Sequence, residues 1–273
     1  MITVKIGDGL GNQLFDYAFG YSLAKRNGEK LILDISETVN SESRKYCLDK
    51  FNLEYSETIY YSNRTLLHKI YKRLKRELCY HLVKEDLNMY RRYDERKVLE
   101  RSLRNIYVYG YWINPKYFLE YVDDICEQFT PVPEIERDIA GCKRLLLSEE
   151  TCAIHMRGGD IQMLNGDYFR HAIQVMDEKK KIDKYYIFTN QIDKARKLVG
   201  EMNLSMDIIF FDDIGDYDDI ETFFLMSTCK NQIISNSTYS WWAAFLNTNE
   251  NKVVIAPYIK KNRELYLHNW LVI

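Results

Sequence analysis

The chain has 273 residues, 46% hydrophobic and 29% charged, so it can bury a substantial core and still present a polar surface. With 38 basic and 40 acidic residues its net charge is -2, which argues against a dedicated duplex-DNA binder, since such a protein needs a basic face. No apolar run approaches the roughly 18 residues of a membrane-spanning helix, and the first residues do not resemble a signal peptide. We therefore expect a cytoplasmic globular protein with no nucleic-acid partner.

The six cysteines are dispersed along the chain, and they form no Cys-x-x-Cys pair and no Cys/His cluster with the spacing of a zinc site. We expect reduced thiols and no bound metal.

The N-terminal segment predicts a strand, a turn, a helix and a second strand. Residues 2–6, ITVKI, are β-prone and predict the first strand. The glycine-spaced turn that follows leads into a helix with Asn12 as a suitable N-cap and Gly28 as a suitable stop. Residues 40–100 are polar, irregular and partly helical. A strand over residues 106–112 and a helix over residues 115–129 complete this half.

Pro131 and Pro133, two of the four prolines, mark the best domain boundary. We predict an N-terminal acceptor-side lobe over residues 1–130 and a C-terminal donor lobe over residues 131–273. Beyond the boundary, strands alternate with helices of ten to fifteen residues, which indicates parallel βαβ units. The predicted fold class is α/β, with two Rossmann-like lobes and a ligand cleft between them, at the carboxyl ends of the strands.

The first motif is GDGLGN, residues 7–12, placed between a strand and a helix. Small residues let the backbone approach a ligand, and a helix start offers free N–H groups. A simple tight turn explains the same residues, because the motif does not match G-x-G-x-x-G in full.

The second motif is HMRGGD, residues 155–160, at the end of a strand. Arg157 in a glycine-rich turn can bind phosphate oxygens with two hydrogen bonds. Asp160 can hold that guanidinium or cap the loop. His155 has the alternative of being an ordinary core histidine.

The third motif is NSTYSWW, residues 236–242, between a strand and a helix. Ser237 and Thr238 suit ordinary helix capping, and the same hydroxyls with the N–H groups behind them also suit an anion site. Trp241 and Trp242 are predicted to be core residues. Together, the three loops suggest a bound nucleotide diphosphate, and the absence of G-x-x-x-x-G-K-[ST] disfavours a P-loop NTPase.

Four ordered segments, GDGLGNQLFDYAFGYSLAK, GYWINPKYF, HMRGGD and ISNSTYSWWAAFL, resemble the signatures of the family 11 glycosyltransferases, the α-1,2-fucosyltransferases. The resemblance implies a GT-B-like fold, GDP-β-L-fucose as donor substrate, inversion at the anomeric carbon and no cofactor or essential metal. It places Arg157 on the diphosphate. The implied donor-binding residues are His155, Arg157, Gly159, Asp160, Asn236, Ser237 and Thr238. The residues implied to line the cleft from the N-terminal lobe are Gly9, Gly11, Asn12 and Gln13.

The sequence also departs from the family's usual pattern. A second arginine usually follows the first, and here Gly158 stands in its place. Glutamine is usual where Asp16 stands, and glycine where Asp8 stands. The usual serine and acidic pair after the strand that contains YYIF is replaced by residues 189–191, Thr-Asn-Gln. These changes bear on the acceptor and on the donor more than on the fold.

An acceptor hydroxyl needs a general base, and Asp8 is our candidate because it lies in the N-terminal loop. We expect Asp16 to lie at the surface or behind the site. A D-x-D sequence, residues 216–218, suggests a manganese site, but we favour a solvated loop that leads into a helix N-terminus, where acidic residues are stabilising.

Residues 65–83 predict a basic amphipathic helix, with Leu66, Ile70, Leu74, Leu78 and Leu82 spaced four apart. One interpretation packs this apolar stripe on the N-terminal sheet. The other is peripheral contact with the inner face of an anionic membrane, where a lipid-linked acceptor would be presented.

The sequence thus predicts an inverting, metal-independent fucosyltransferase that acts on a glycan acceptor, the 2-hydroxyl of galactose by resemblance, in cell-surface glycan synthesis. Two alternatives stay open: a transferase that uses another GDP-sugar, and a nucleotide- or glycan-binding protein that has lost catalysis.

Overall fold

A computed structural model describes residues 1–61, 65–86, 91–102, 104–159, 161–204, 206 and 208–273. The chain divides into two compact units, Met1–Thr130 and Pro131–Ile273, and the division falls at the proline-containing segment. Each unit is an α/β structure built on one parallel sheet. Among the described residues, no helix is both long and apolar enough to cross a membrane.

The first unit has a five-stranded parallel sheet in the order β3-β2-β1-β5-β4. Its strands are β1 (Ile2–Lys5), β2 (Leu31–Asp34), β3 (Glu57–Ile59), β4 (Tyr80–Lys84) and β5 (Asn105–Tyr109). Its helices are α1 (Leu10–Asn27), α2 (Ser36–Val39), α3 (Leu66–Cys79), α4 (Glu95–Val98) and α5 (Val122–Gln128). The strand order reverses at β1, which places the turn after β1 at the switch point where such sheets bind ligands.

Helix α1 is buried along most of its length and packs closely on β1. A Cβ atom at Gly20 would lie 2.8 Å from Val4, so this glycine permits the close approach. The predicted stop at Gly28 is confirmed by its left-handed φ of 64°. The predicted N-cap at Asn12 is wrong: the helix begins at Leu10 with Gly9 as N-cap, because the Gly9 carbonyl already accepts the Asn12 N–H at 2.9 Å.

Two other elements of this unit differ from the prediction. The strand over 106–112 ends at Tyr109, and Trp112 has a left-handed φ of 50°. The helix over 115–129 is broken into two 3₁₀ turns before α5, because Phe118 has a φ of -134° and is fully buried. Sequence reasoning missed the short edge strand β3. The predicted helix over 65–83 ends at Cys79, and residues 80–83 belong to the other edge strand, β4, which pairs with β5.

The second unit has a six-stranded parallel sheet in the order β11-β10-β9-β6-β7-β8. Its strands are β6 (Thr151–Met156), β7 (Lys184–Thr189), β8 (Ile208–Phe210), β9 (Asn231–Ile233), β10 (Val254–Ala256) and β11 (Leu271–Val272). Its helices are α6 (Pro133–Ser148), α7 (Gly166–Lys179), α8 (Ile192–Met202), α9 (Asp219–Thr228) and α10 (Thr238–Leu246). The predicted alternation from α6 to β10 is confirmed. Strand order again reverses at β6, so the loops after β6 and β9 adjoin.

Candidate functional site

The second and third sequence motifs meet at the carboxyl ends of β6 and β9. These strands pair in parallel, with Ile154 opposite Ile233, so the residues that follow them emerge side by side. Ser235 Oγ lies 3.0 Å from Nδ1 of His155, and the His155 ring stacks on Tyr239 with ring centroids 5.5 Å apart. Arg157 and the N-terminus of α10 are thereby brought to one edge of the sheet.

His155 is a buried, neutral imidazole. It is 5% exposed, and burial, with a smaller contribution from the Arg157 charge, lowers its pKa to about 3. At neutral pH the ring therefore carries no charge. The interpretation of His155 as a core histidine is confirmed by its burial, and its contacts to Ser235 and Tyr239 fix the end of β6 against the start of α10.

The glycine turn after Arg157 is held by Asn190. The Gly158 N–H donates to Asn190 Oδ1 at 3.0 Å, and Asn190 Nδ2 donates to the Gly158 carbonyl at 2.9 Å. Gly159 has a left-handed φ of 97°, a conformation that favours glycine. Asp160, which the sequence placed beside Arg157, lies outside the described residues.

The residues that depart from the family pattern, at 158 and 189–191, contact each other. A Cβ atom at Gly158 would lie 2.8 Å from Gln191 Oε1, so the Gln191 side chain occupies the space that a larger residue at 158 needs. Thr189 Oγ1 donates to the Met156 carbonyl at 2.7 Å and accepts from the Gln191 N–H at 3.1 Å. These structural roles were not predicted. A polar triplet directly after the strand next to β6 was the available signal.

The start of α10 is capped as predicted. Ser237 is the N-cap, and its Oγ accepts from the Tyr239 N–H at 3.3 Å. Thr238 is the first helical residue. Trp241 and Trp242 are 1% and 0% exposed, which confirms them as core residues. A nine-residue helix thus points its N-terminus, with its partial positive charge, toward this edge of the sheet.

Two buried amide oxygens in this region have no hydrogen-bond donor within the described part of the chain. They are Asn236 Oδ1, next to the α10 cap, and Gln191 Oε1, next to the glycine turn. A buried acceptor without a donor is costly, and these two oxygens lie beside the glycine turn and the start of α10.

The first unit carries the remaining predicted residues in the turn between β1 and α1. Asp8 is half-buried with a left-handed φ of 59°, a conformation that suits the glycine usual at this position in the family. Gly9 is the N-cap of α1, Gly11 is buried in its first turn, and Asn12 is half-buried. Asp8 thus directly precedes the N-cap of α1.

Gln13 is fully buried, and the chain's own backbone satisfies its amide. Its Nε2 donates to the carbonyls of Asp8 and Lys45, both at 2.8 Å, and its Oε1 accepts from the Cys47 N–H at 3.0 Å. In this arrangement Gln13 fixes the turn. The predicted direct contact of Gln13 with a donor stays a prediction.

Asp16 lies beneath the same turn, and the expectation of a surface position is wrong because the side chain is 2% exposed. Its Oδ2 accepts from the Gly7 N–H at 3.3 Å, and Oδ1 has no donor among the described residues. Burial raises the Asp16 pKa well above its usual value, against the lowering effects of the Gly7 N–H and Lys5. A protonated Asp16 can donate as well as accept, as the glutamine usual in the family does.

Residues 216–218 lead into the N-terminus of α9. Asp218 is the N-cap of α9 and accepts from the Ile220 and Glu221 N–H groups, both at 2.8 Å, while Glu221 completes a capping box. The helix-capping interpretation is confirmed. Among the described residues, no group of three or more His, Cys, Asp or Glu side chains is arranged to bind a metal ion.

Comparison with known proteins gives one family and several relatives. The model of glycosyl transferase family 11 matches residues 1–273. An Escherichia coli alpha-1,2-colitosyltransferase is 26% identical over 277 residues, covering 94% of this chain and 91% of the relative. The E. coli O-antigen biosynthesis glycosyltransferase WbnK is 26% identical over 292 residues, covering 92% of each.

The fold is similar to that of solved glycosyltransferases. The α-1,6-fucosyltransferase NodZ, solved after soaking with GDP-fucose, matches with a TM-score of 0.54 at 15% identity, over 90% of this chain and 91% of that one. At this identity the match bears on the fold alone, which is of the GT-B type.

Proposed function

The chain belongs to glycosyl transferase family 11 and is a glycosyltransferase, and we propose that it moves L-fucose from GDP-β-L-fucose to a glycan hydroxyl. The predicted acceptor position is the 2-hydroxyl of galactose, in the synthesis of a cell-surface glycan. Support comes from a relative named for O-antigen biosynthesis and from a similarly folded fucosyltransferase soaked with GDP-fucose.

One observation carries the donor part of this proposal: Arg157 and the start of α10 adjoin at the ends of β6 and β9. A departing diphosphate gains negative charge as its bond to the sugar breaks. Arg157 and the N–H groups behind Ser237 are donors of the kind that stabilise such charge in place. The neutral His155 holds these two elements together without adding charge.

In the proposed transfer, the acceptor oxygen forms a bond to the fucose C1 from the face opposite GDP, and the bond from C1 to the phosphate oxygen breaks. Both bonding electrons leave with GDP, and the configuration at C1 inverts. The acceptor proton passes to a general base, for which Asp8 is the proposed residue. The two buried amide oxygens, Gln191 Oε1 and Asn236 Oδ1, suit hydroxyl donors of the sugar or ribose.

A second donor deserves a direct test because one relative is an alpha-1,2-colitosyltransferase. Colitose is L-fucose without its 3-hydroxyl group. Gly158 and Gln191, which replace usual family residues beside Arg157, are the positions where a change of donor would act.

The test is a donor screen on the intact protein. Thermal melting with GDP, UDP, GDP-fucose and GDP-colitose identifies the nucleobase and the sugar of the donor, because a ligand that binds the folded state raises the protein's melting temperature. Turnover is then measured as the rate of donor hydrolysis without acceptor and as the rate of sugar transfer to a galactoside. We expect stabilisation by GDP but not UDP, and fucose transfer. Turnover of GDP-colitose alone assigns the second donor, and GDP binding without turnover of any donor assigns an inactive binding protein.

A further inference from the structure

Helix α3 lies on the first unit with its apolar side turned outward. Six of its apolar residues are between 46% and 78% exposed: Leu66, Leu67, Ile70, Tyr71, Leu74 and Leu78. With 3.6 residues per turn, they occupy an arc of about 140° along one side of the helix. The interpretation that packs the apolar stripe against the sheet is therefore wrong. We call these six residues the apolar arc.

The reason for this orientation is the polarity of the surface that α3 covers. Lys72 Nζ lies 3.8 Å from Oδ2 of Asp34, which is fully buried at the end of β2. Arg76 lies over the ring of Tyr107, whose hydroxyl donates to the same carboxylate at 2.5 Å. Lys75 lies at the edge of this inward side, with its Nζ 5.2 Å from the centre of the Tyr61 ring. The sheet thus binds the basic side of the helix, and the apolar arc faces away from it.

Basic residues border the apolar arc. Arg73, whose side chain is 75% exposed, lies on one border beside Leu66, and Lys75 lies on the other beside Tyr71. Glu77 lies within the angular span of the arc, between Leu66 and Ile70, and its carboxylate pairs with Arg73 at 3.0 Å, which offsets its negative charge. An apolar face edged by lysine and arginine is the pattern of helices that lie in the interface of an anionic membrane.

A cationic cavity adjoins this helix. It has a volume of about 260 Å³, and its charged lining consists of Arg73, Arg76 and Lys84 against a single carboxylate, Glu77. Tyr107 and Tyr109 complete much of its wall. The net positive charge of the lining complements the phosphate of a lipid headgroup.

We propose that α3 docks the protein on an anionic phospholipid membrane. The apolar arc enters the boundary between headgroups and acyl chains, and Arg73 and Lys75 bind the lipid phosphates. This inference goes beyond the proposed function and does not depend on which sugar or acceptor is used.

A second copy of the chain is a poorer occupant of the same surface. A helix of 14 residues is about 21 Å long, so an arc about 10 Å wide covers only about 200 Å², against about 800 Å² per partner in a standard interface. Pairing two copies through this helix would also bring the Arg73 and Lys75 side chains of both copies together, and like charges at an interface are unfavourable.

The test is co-sedimentation with vesicles of phosphatidylcholine, with and without phosphatidylglycerol. We expect the intact protein to sediment with the anionic vesicles, less so at high salt, and to stay in solution with pure phosphatidylcholine. The double variant Ile70→Glu/Leu74→Glu should bind at least about tenfold more weakly, because it places two carboxylates in the apolar arc. The matched control is Leu145→Glu/Leu147→Glu on α6, which changes two residues of similar exposure and should bind as the parent does.

A milder variant, Arg73→Gln/Lys75→Gln, tests the charges alone and should remove the preference for phosphatidylglycerol. Melting with GDP verifies that each variant is folded, and it separates this inference from the proposed function because α3 lies in the other unit from Arg157. The proposal is overturned if the parent stays in solution with anionic vesicles, or if the arc variant binds as the control does. It is equally overturned if light scattering shows a dimer that the arc variant dissociates.

Discussion

The turn after β1 and the turn after β6 both follow an inner strand of a parallel sheet at the point where strand order reverses, and both contain closely spaced glycines. Their electrostatics differ. The first turn presents Asp8 above the buried carboxyl group of Asp16, whereas the second presents Arg157 beside a neutral His155 and the start of a helix. Similar backbone designs therefore carry charged groups of opposite sign, which is why we propose a proton acceptor for the first turn and an anion site for the second.

Removing the cation from the second turn gives the largest expected effect. Arg157→Ala should lower turnover by about 10²–10³, because the loss of one donor to developing charge costs about 3–4 kcal/mol. Steady-state transfer with GDP-fucose measures it. Arg137→Ala, which removes an arginine with a 75% exposed side chain from α6, is the control and should keep parental turnover. Parental turnover in Arg157→Ala would remove this arginine from the mechanism.

Neutralising the Asp8 carboxylate of the first turn tests its proposed role as the general base. Asp8→Asn should reduce transfer about a hundredfold, the lower range for a general base, while leaving GDP affinity unchanged. The transfer rate is measured with a galactoside acceptor, and the affinity for GDP is measured by titration. A fully active Asp8→Asn enzyme contradicts the assignment of Asp8 as the base.

Acid should destabilise the second unit through His155. The folded-state pKa of His155, about 3, lies below the ordinary value of 6.5. The contribution of His155 to folding stability is therefore fully present above pH 6.5. It is lost as pH falls below that value, because the unfolded chain then binds a proton that the folded chain does not. Between pH 6.5 and 5 the expected loss is about 2 kcal/mol.

Urea unfolding across this pH range measures the effect of His155. His155→Gln should lower stability at pH 7 and flatten the pH dependence, whereas His171→Gln, at an exposed position of α7, should change neither. An unaltered slope in His155→Gln would show that other groups cause the acid sensitivity.

The smallest expected effect concerns Asp16. Its raised pKa means that the folded state holds a proton more tightly than the unfolded state, so stability falls as pH rises above 3.8. Asp16→Asn removes this penalty and should stabilise the protein more at pH 8 than at pH 5, while the exposed control Glu42→Gln should be neutral. Thermal melts at pH 5 and 8 measure the difference. A less stable Asp16→Asn protein at pH 8 would show that the ionised carboxylate is the form the fold requires.

Much of the architecture could be predicted because local signals agree with the fold. Gly28 ends α1, Ser237 caps α10 and Asp218 caps α9, each within a regular alternation of strands and helices. The meeting of residues 155–159 with residues 235–239 follows from the same alternation, since adjacent parallel strands end at one edge.

What could not be predicted depends on tertiary contacts. Periodicity shows that α3 is amphipathic, but the side that faces inward is decided by Asp34 and Tyr107, which come from other strands. The burial of Asp16 and the clamp from Asn190 on the Gly158 backbone likewise join residues that no local pattern connects. Each of these is decided by which polar partner the fold supplies.

We propose that the turn after β6 and the start of α10 bind the donor's diphosphate, and a crystal structure of the protein with GDP tests this site. We expect both phosphates within hydrogen-bond distance of the Arg157 guanidinium and of N–H groups at the start of α10. GDP bound elsewhere, with Arg157 contacting no phosphate oxygen, would rule this site out.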